Sequence, residues 1–337
     1  MEGYFNNKKV LIIGGTGTIG VSLLKTILKD KPAVVRILSR DEYKQFELQQ
    51  LFSEYKNIRY FIGDVRDLAR VERAMQDIDY VFHVAAMKHV PSCEYNPFEA
   101  VQTNIIGTQN VIQSSLNTGV KKTIFTSTDK AIAPINTYGA SKLMAERLIA
   151  AAQNQTGSKE TTFAAVRFGN VMGSRGSVIP LFKWQIENKR EITVTNLSMS
   201  RFMMSLQQAT DLTIEAMKRS QGGEIFVLKM PVVLLKDLVD VLVPKVSLKL
   251  GISQNEISIK EIGLRPGEKM FEELMTEEES QHAYEFNDMF MIRNMFIKDF
   301  KEYEGATLAQ QKSYSSEIQK PMTKSELHTL LDCQNLI

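Results

Sequence analysis

The sequence predicts an α/β fold, in which a doubly wound parallel sheet carries a smaller mixed α/β lobe. Short apolar runs alternate with helical patterns through the first half of the chain, a glycine-rich turn follows the first run, and the alternation loosens beyond Asn170. Strands that alternate with helices at this spacing form βαβ units, whose strands are parallel. A chain of 337 residues is long enough for one large α/β domain or two smaller ones.

Each strand candidate is a short apolar run of a kind that a buried parallel strand requires. These runs are residues 8–15, 33–39, 58–65, 79–86, 121–128 and 161–169. Helical periodicity is clearest between them at 97–117 and 138–153.

The turn after the first run, GGTGTIG, has glycines at positions 14, 17 and 20. Glycines there permit a tight turn and a close approach of the backbone to a pyrophosphate at the N-terminus of the next helix. This strand–turn–helix context predicts a Rossmann-type dinucleotide site. The predicted cofactor-binding residues are Gly14, Thr16, Gly17, Thr18, Ile19, Gly20, Ser39, Arg40, Asp64, Val65, Ala85, Ala86, Lys88, Asn104, Tyr138 and Lys142.

The end of the second run, LSRDEYK, bears on which nicotinamide cofactor is used. An acidic residue there favours NAD, whereas an arginine can accommodate the 2′-phosphate of NADP. Arg40 lies at the tip with Lys44 one helical turn later, although Asp41 adjoins it. NADP is therefore expected, with NAD as the less favoured alternative. Asp64 after the third run could accept a hydrogen bond from the adenine amine.

The later patterns predict a division of the chain into two parts and a tail. Residues 1–170 form the dinucleotide-binding Rossmann domain, which 205–230 rejoins with a helix and a strand. Residues 171–204 and 231–280 form the substrate-binding lobe, and 281–337 is a tail of unassigned role.

Composition and charge exclude several classes of protein. The 41 basic and 39 acidic residues give a net charge of +2 without a block of like charge, which argues against a nucleic-acid partner. The two cysteines and four histidines show no metal-ligand spacing, so no metal site is predicted. The N-terminus lacks a signal-peptide pattern, and no apolar run approaches the roughly 20 residues of a membrane helix. A cytoplasmic location without a membrane anchor is expected.

The stretch STDKAIAPINTYGASK, residues 127–142, concentrates hydroxyl and ionisable groups after the fifth run. Tyr138 and Lys142 are four residues apart at a helix start, so their side chains share a face. A cation beside a phenol lowers its pKa, which makes a base for a substrate hydroxyl as hydride leaves for a nicotinamide. With Ser127 and Thr128 at the strand end, this combination resembles the extended short-chain dehydrogenase/reductase superfamily, which acts largely on nucleotide sugars.

Asp129 and Lys130 go beyond that superfamily pattern. Alcohol oxidation needs only a base and a hydride acceptor, so an additional acid–base pair at the substrate suggests a second reaction. Once a sugar C4 hydroxyl has become a ketone, its C5 proton is acidic. A base could then remove that proton while an acid protonates the departing C6 hydroxyl, and the pair is therefore predicted to be catalytic.

Four stretches narrow the resemblance: VFHVAAMKHVPSCEYNPFEAVQTNIIGTQNV, STDKAIAPINTYGASKL, VRFGNVMGSRGSVIPLF and LRPGEKMFEEL. Together they are similar to the UDP-N-acetylglucosamine 4,6-dehydratases of surface-glycan synthesis in bacteria and archaea, and the match spans residues 8 to 275. Some members are long and membrane-anchored with methionine in place of the tyrosine. This chain resembles the short kind and keeps Tyr138.

The resemblance implies a role for each residue of the stretch. Tyr138 takes the O4 proton as hydride passes from C4 to NADP+, while Lys142 assists. Thr128 or Ser127 holds O4. Lys130 abstracts the C5 proton, which requires a depressed lysine pKa. Asp129 protonates O6 as water leaves. The hydride then returns to C6 and a proton returns to C5, so that the cofactor is recycled and stays tightly bound.

The resemblance also implies a UDP anchor in the lobe. Arg201 and Arg265 could bind the diphosphate by bidentate contacts, and Glu268 could accept hydrogen bonds from the ribose hydroxyls. The GSRGS loop, 173–177, offers further donors for phosphate. The predicted substrate-binding residues for UDP-N-acetylglucosamine are Lys88, Ser127, Asn170, Arg175, Arg201, Arg265 and Glu268.

Two other functions remain open at this point. A nucleotide-sugar 4-epimerase would need Tyr138 and Lys142 but no acid–base pair, and a non-catalytic NADP-binding sensor would need neither. The face on which C5 is reprotonated, inverting or retaining, is also open. Members of this superfamily usually pair through helices such as 97–117 and 138–153, so a homodimer or higher homo-oligomer is expected.

Overall fold

The apolar runs of the first half lie side by side in one sheet of ten strands. The structure is a computed structural model that describes residues 3–158, 160–174, 176–297, 303–310, 312–334 and 336. Its strands, in chain order, are β1 (Lys9–Ile13), β2 (Val34–Ser39), β3 (Ile58–Ile62), β4 (Tyr80–His83), β5 (Lys122–Thr126), β6 (Thr162–Arg167), β7 (Asn170–Val171), β8 (Glu191–Val194), β9 (Ser200–Met204), β10 (Ile225–Leu228), β11 (Val232–Leu234), β12 (Ser258–Glu261), β13 (Glu273–Met275), β14 (Ala283–Glu285), β15 (Met289–Ile292), β16 (Thr307–Leu308) and β17 (Tyr314–Ser315).

The helices flank the sheet or build the lobe. They are α1 (Thr18–Lys29), α2 (Glu42–Leu51), α3 (Leu68–Met75), α4 (Val90–Tyr95), α5 (Pro97–Ala100), α6 (Gly107–Thr118), α7 (Thr137–Ala152), α8 (Val178–Lys189), α9 (Leu206–Arg219), α10 (Leu235–Leu250), α11 (Glu277–Ser280) and α12 (Lys324–Cys333). A π-helical segment, Val101–Ile106, joins α5 to α6, and a 3₁₀ turn, Asp129–Ala131, follows β5.

The sheet order confirms the predicted Rossmann-type fold. The strands run β16-β14-β15-β10-β6-β5-β4-β1-β2-β3, and the seven from β10 to β3 are parallel. Because β1 lies between β2 and β4, the chain order reverses at its carboxyl end, where folds of this kind bind ligands. Residues 10–13 of β1 are 0 to 1% exposed, which explains why the run is continuously apolar.

The sheet continues beyond the first half of the chain. Strand β10 pairs in parallel with β6, and helix α9 packs against α1. The segment after residue 281, to which the sequence assigned no role, adds β15 antiparallel to β10 and then β14 and β16. None of the helices in the described part of the chain is long and apolar enough to cross a membrane.

The lobe has an apolar core of its own. Residues of α8, β8 and α10 form it, together with Leu327 and Leu331 of α12. Strands β8 and β12 pair in parallel at its side. An ion pair of 2.5 Å between Lys245 and Asp332 links α10 to α12.

A buried cation ties β6 to the segment that follows the lobe. Arg167 is 1% exposed and lies between Glu146 of α7 and Glu279 of α11. Its Nε and Nη2 donate to Glu146 at 3.1 and 2.7 Å, and its Nη1 and Nη2 donate to Glu279 at 2.9 Å each. The remaining Nη1 hydrogen bond goes to the Leu274 carbonyl at 2.9 Å. Each of the five guanidinium donors has an acceptor.

Candidate active site

The glycine turn after β1 has the backbone geometry that a pyrophosphate site needs. Gly14 adopts φ +85°, and a Cβ there would lie 2.7 Å from the Ala85 nitrogen. A Cβ on Gly20 would lie 2.6 Å from the Gly14 carbonyl oxygen, so glycine also allows the turn to pack on α1. Gly17 at the N-cap has no side chain to occupy the first N–H groups of α1, which leaves them to a bound anion.

A cleft of about 280 Å³ opens beside this turn. The predicted cofactor-binding residues that line it are Gly14, Thr16, Gly17, Ser39, Arg40, Asp64, Val65, Ala85 and Ala86. Thr18, Ile19 and Gly20 belong to the first turn of α1. Gly63 and Thr103 also line the cleft and were not predicted. The residues present therefore fit a dinucleotide.

The charges at the rim of the cleft are arranged so that Arg40 is exposed. Asp41 caps α2 by accepting from the Lys44 backbone at 3.0 Å, and its carboxylate also pairs with the Lys44 ammonium at 2.5 Å. The Arg40 side chain is 64% exposed and lies 3.8 Å from Asp64. Since Asp41 is engaged by α2, its presence next to Arg40 does not neutralise the arginine.

The Asp64 carboxylate is held by hydrogen bonds from Arg66. It accepts from the Arg66 backbone N–H, Nε and Nη2 at 3.0, 3.0 and 2.8 Å. Burial alone would raise the pKa of Asp64, but the hydrogen bonds and charge of Arg66, with the charge of Arg40, lower it. The carboxylate is thus ionised, and Arg66 occupies much of the acceptor capacity that the adenine amine was expected to use.

Asn104 lies in the π-helical segment and is 1% exposed. Its amide exchanges two hydrogen bonds with the backbone of Met87, at 2.8 and 2.9 Å, and donates to Ser141 Oγ at 2.9 Å. It thereby joins the loop after β4 to helix α7. Lys88 is an exposed residue of that loop. π-helical segments of this kind are frequent at functional sites.

Thr128, Asp129 and Lys130 meet at the 3₁₀ turn after β5. Thr128 Oγ1 donates to Asp129 Oδ1 at 2.9 Å, and Lys130 Nζ donates to the same oxygen at 3.0 Å. Asp129 is fully buried, and its Oδ2 has no hydrogen-bond partner among the described residues. The neighbouring Ser127 hydroxyl is also buried and has no hydrogen-bond partner among the described residues. Buried polar atoms without partners are costly and rare, so these two mark a place where a polar ligand would bind.

A third charged residue, Glu272, completes this cluster and was missed in the sequence. It precedes β13, is 3% exposed, and its Oε1 lies 3.4 Å from Lys130 Nζ. Its backbone is held by Ser316 through hydrogen bonds of 2.9 and 3.0 Å, and its Oε2 has no partner in the described structure. The signal for it was the pair of adjacent glutamates before an apolar strand, since alternation turns one of two neighbours inward.

The expected depression of the Lys130 pKa is wrong. Burial favours the neutral amine, but the nearby carboxylates of Asp129 and Glu272 outweigh it and raise the pKa of Lys130 above its ordinary value. Glu272, which was not predicted, places a second carboxylate beside this lysine.

Tyr138 also differs from the expectation. Burial raises its pKa to about 12, although a side-chain hydrogen bond with Thr128 and the charge of Lys130 act in the opposite direction. Lys142 instead donates to the Thr126 carbonyl at 2.5 Å, and its Nζ lies 3.9 Å from the centre of the Phe125 ring. Burial lowers the pKa of Lys142 to about 7, against the attraction of Glu146. The cation that influences the phenol is therefore Lys130.

The segment 265–270 of the lobe lies over the 3₁₀ turn that follows β5. Asn136 caps α7 through the Gly139 N–H at 2.7 Å and donates to the Gly267 carbonyl at 2.8 Å. A Cβ on Gly267, which adopts φ +80°, would lie 2.9 Å from Asn136 Cβ. Lys269 donates to the Ile132 carbonyl at 2.9 Å. The Asn136 side chain thus caps α7, the helix that carries Tyr138, and also holds the lobe segment in place.

The predicted substrate-binding residues differ in their contacts and in their exposure. Arg201 donates to the carbonyls of Ser200, Lys269 and Met270, at 2.7 to 3.1 Å, so its guanidinium supports the lobe segment. The Arg265 side chain is 46% exposed and lies 3.9 Å from Glu268. Glu268 Oε2 is buried without a partner among the described residues. Asn170 begins β7, and Arg175 lies outside the described residues.

Comparison with known proteins adds to this geometry. A family model described as polysaccharide biosynthesis protein matches residues 10–294. The UDP-N-acetylglucosamine 4,6-dehydratase (inverting) of Campylobacter jejuni is 46% identical over 290 residues, 86% of this chain and 83% of that protein. The UDP-glucose 4-epimerase of Rickettsia rickettsii is 40% identical over 340 residues, 97% of this chain and 96% of that protein. The solved structure of Pen from Bacillus thuringiensis has a TM-score of 0.94 at 58% identity, covering 99% of this chain and 100% of that one.

Proposed function

This chain belongs to the polysaccharide biosynthesis protein family, and on that premise we propose that it is a UDP-N-acetylglucosamine 4,6-dehydratase. The reaction would be a hydro-lyase step that gives a UDP-4-keto-6-deoxy-hexosamine for surface-glycan synthesis. The observation that carries the proposal is the pair of buried Asp129 and half-buried Lys130 beside Tyr138, with unpartnered oxygens on Asp129 and Ser127 among the described residues. Oxidation at C4 alone would not require that pair.

A nicotinamide cofactor fits the glycine turn and its cleft. Gly14, Gly17 and the N-terminus of α1 would hold the pyrophosphate, and Arg40 would accept the 2′-phosphate of NADP. When bound, such a cofactor supplies a hydride acceptor for C4 and a hydride donor for C6. Mass spectrometry of the nucleotide released from the purified protein decides between NADP and NAD, and NAD alone would contradict our assignment.

The proton transfers of the reaction are carried out by residues around the 3₁₀ turn. Tyr138 accepts the O4 proton as a phenolate and becomes a phenol, and the Thr128 hydrogen bond and the Lys130 charge both stabilise the phenolate before this transfer. Asp129 delivers a proton to O6, and Lys130 accepts the proton from C5. Lys142 holds the end of β5 at the Thr126 carbonyl. Water loss across C5–C6 then leaves Lys130 as an ammonium and Asp129 as a carboxylate.

The test is turnover of UDP-N-acetylglucosamine in D2O, followed by NMR of the sugar ring. We expect a 4-keto-6-deoxy product that carries deuterium at C5, and its ring couplings will identify the C5 epimer. The control is the Tyr138→Phe variant, which should keep its cofactor and lose turnover. Recovery of unchanged sugar would contradict the proposal, and equal behaviour of the variant would favour a binding protein.

A UDP-sugar 4-epimerase is the second candidate, because the Rickettsia rickettsii protein matches 97% of this chain. An epimerase needs neither an acid for O6 nor a base for C5. The same NMR experiment separates the two, since epimerisation would return the C4 epimer with no loss of water and no deuterium at C5. The Asp129–Lys130–Glu272 cluster, whose two carboxylates are buried, favours the dehydratase.

A homodimer or higher homo-oligomer remains our prediction. Apolar side chains that support it are exposed along α4 to α7: Tyr95 at 88%, Phe98 at 67%, Met144 at 50% and Ile106 at 41%. Contiguous exposed apolar residues mark interaction surfaces. Light scattering of the purified protein checks this, and a monomer at micromolar concentration would contradict it.

A further inference from the structure

We propose that Glu272 is a positioning residue, which holds Lys130 and stabilises the ammonium that forms when Lys130 takes the C5 proton. The inference deepens the proposed function and rests on it. Glu272 was not among the predicted catalytic residues, and it enters the site from the far end of the lobe segment, just before β13.

The first support is geometric. Lys130 Nζ lies between two carboxylates, 3.0 Å from Asp129 Oδ1 and 3.4 Å from Glu272 Oε1. Glu272 is 3% exposed, and its backbone is fixed on both sides by Ser316. A carboxylate this well buried is rare unless it is paired, and the one cation it meets in an ion pair among the described residues is Lys130.

The second support is the proton balance of the reaction. In the resting cluster Lys130 is an ammonium and Asp129 is a carboxylate, so neither can act as the reaction requires. One proton must pass from Lys130 Nζ to Asp129 across their 3.0 Å hydrogen bond, which gives a neutral amine and a carboxylic acid. The amine then takes the C5 proton. The C5–H electron pair forms the C5–C6 double bond, the C6–O6 bond breaks, and O6 leaves as water with the proton of Asp129.

Glu272 matters in the intermediate state of this sequence. While Asp129 carries the proton for O6 it is neutral, and Glu272 is then the remaining anion that faces Lys130. Its charge favours return of a proton to the amine, just as the carboxylate of a catalytic triad stabilises the imidazolium that forms beside it. After elimination Lys130 is again an ammonium and Asp129 a carboxylate, and Glu272 has kept its charge throughout.

The other charged and titratable groups around the pair are Tyr138, Arg201 and Lys269. Burial and the charge of Asp129 raise the pKa of Glu272, and the charges of Lys130, Arg201 and Lys269 act against that rise. The charge of Arg201 also acts against the rise in the pKa of Lys130. Tyr138 is influenced by Lys130 and Asp129. Because Asp129 and Glu272 together outweigh Arg201 and burial at Lys130, removing one of the two anions should move the titration of that lysine.

The test is Glu272→Gln, with Glu273→Gln as its matched control on the next residue. The amide keeps the shape of the side chain and loses its charge. We expect C5 deuterium exchange and water loss to slow roughly ten- to a hundredfold, while C4 oxidation, read from the absorbance of reduced nicotinamide, is retained. The alkaline limb of the dehydration rate, where Lys130 loses its proton, should move down by about one pH unit or more. Glu272→Asp should restore much of the rate and the limb.

A uniform loss of rate with an unmoved alkaline limb would mean that Glu272 is only structural, and would overturn the inference. A second measurement needs no turnover. NMR titration of labelled lysine, with Lys130 assigned from Lys130→Arg, should show a lower Lys130 pKa in Glu272→Gln than in the parent. If the parent protein is inactive but the Lys130 pKa is lower in Glu272→Gln, the dehydratase proposal is refuted and the contact between Glu272 and Lys130 stands. If the parent is active but the Lys130 pKa is unchanged, only the inference about Glu272 is refuted.

Discussion

Two clusters of this protein share one pattern of charges but differ in how fully their polar atoms are hydrogen-bonded. Each places one cation between two carboxylates: Arg167 between Glu146 and Glu279, and Lys130 between Asp129 and Glu272. In the arginine cluster every guanidinium donor has an acceptor, and all four carboxylate oxygens accept from it. In the lysine cluster, Asp129 Oδ2 and Glu272 Oε2 have no partner among the described residues.

The difference separates a structural cluster from one that is prepared for a ligand. Arginine stays charged and matches carboxylates in a fixed plane, whereas lysine is a point charge that can give up its proton. A closed cluster stabilises the contact between α7, β6 and α11 and offers nothing to a substrate. An open one retains acceptors that only a substrate, or water, can satisfy.

The largest effect should come from the open cluster, in Asp129→Asn. The amide keeps the size of the side chain but cannot deliver the acid proton to O6, so dehydration should fall roughly 10²- to 10⁴-fold. C4 oxidation should persist, and reduced nicotinamide should accumulate in a single turnover, which stopped-flow absorbance measures. Asp288→Asn, at an exposed position, serves as the control. Dehydration at the parent rate in Asp129→Asn would remove the acid from our mechanism.

Breaking the closed cluster should affect stability instead. Arg167→Met leaves Glu146 and Glu279 without their cation, and an uncompensated buried charge costs about 3 to 5 kcal/mol in the free energy of unfolding. Urea denaturation measures this, and activity per folded molecule should be unchanged. Arg147→Met, at an exposed position on α7, should stay within about 0.5 kcal/mol. If the two variants unfold alike, the arginine cluster does not stabilise the fold as described.

Lys142 is 2% exposed and forms no ion pair with a carboxylate among the described residues, because Glu146 is engaged by Arg167. Its folded-state pKa, about 7, lies below the ordinary value of 10.5, so the unfolded chain binds the extra proton between those values. Stability must then rise with pH from about 7 upward. Relative to Lys142→Met, the parent should gain about 2 to 3 kcal/mol between pH 7 and pH 9. Parallel stability curves over that interval would contradict the assignment.

Much of the sheet could be predicted because its strands are local patterns. The run that becomes β1 is apolar along its length since both faces are buried, and the glycines of the next turn are needed where they stand in sequence. Strands β14 to β16 have two to four residues each, and β14 and β15 gain their burial largely from pairing beside β10. Nothing in so short a stretch distinguishes it from a loop, which is why the tail was left unassigned.

The candidate site also has a part that could be predicted from local sequence and a part that could not. Thr128, Asp129 and Lys130 are neighbours in sequence, and their contact follows from one turn. Glu272 reaches Lys130 only because the lobe segment folds back over that turn. The pKa of Lys130 depends on this distant carboxylate, so the direction of its shift could not be obtained from the residues next to it.

The antiparallel pairing of β15 with β10 makes the order of synthesis matter. A nascent chain folds from its N-terminus, and residues 289–292 leave the ribosome after every strand of the parallel sheet. Until then β10 presents an open edge, which is a template for pairing with another chain. A product truncated before residue 289 would keep that edge permanently. The final strands therefore cover the edge of β10, and their loss should appear as aggregation rather than as a change in the reaction.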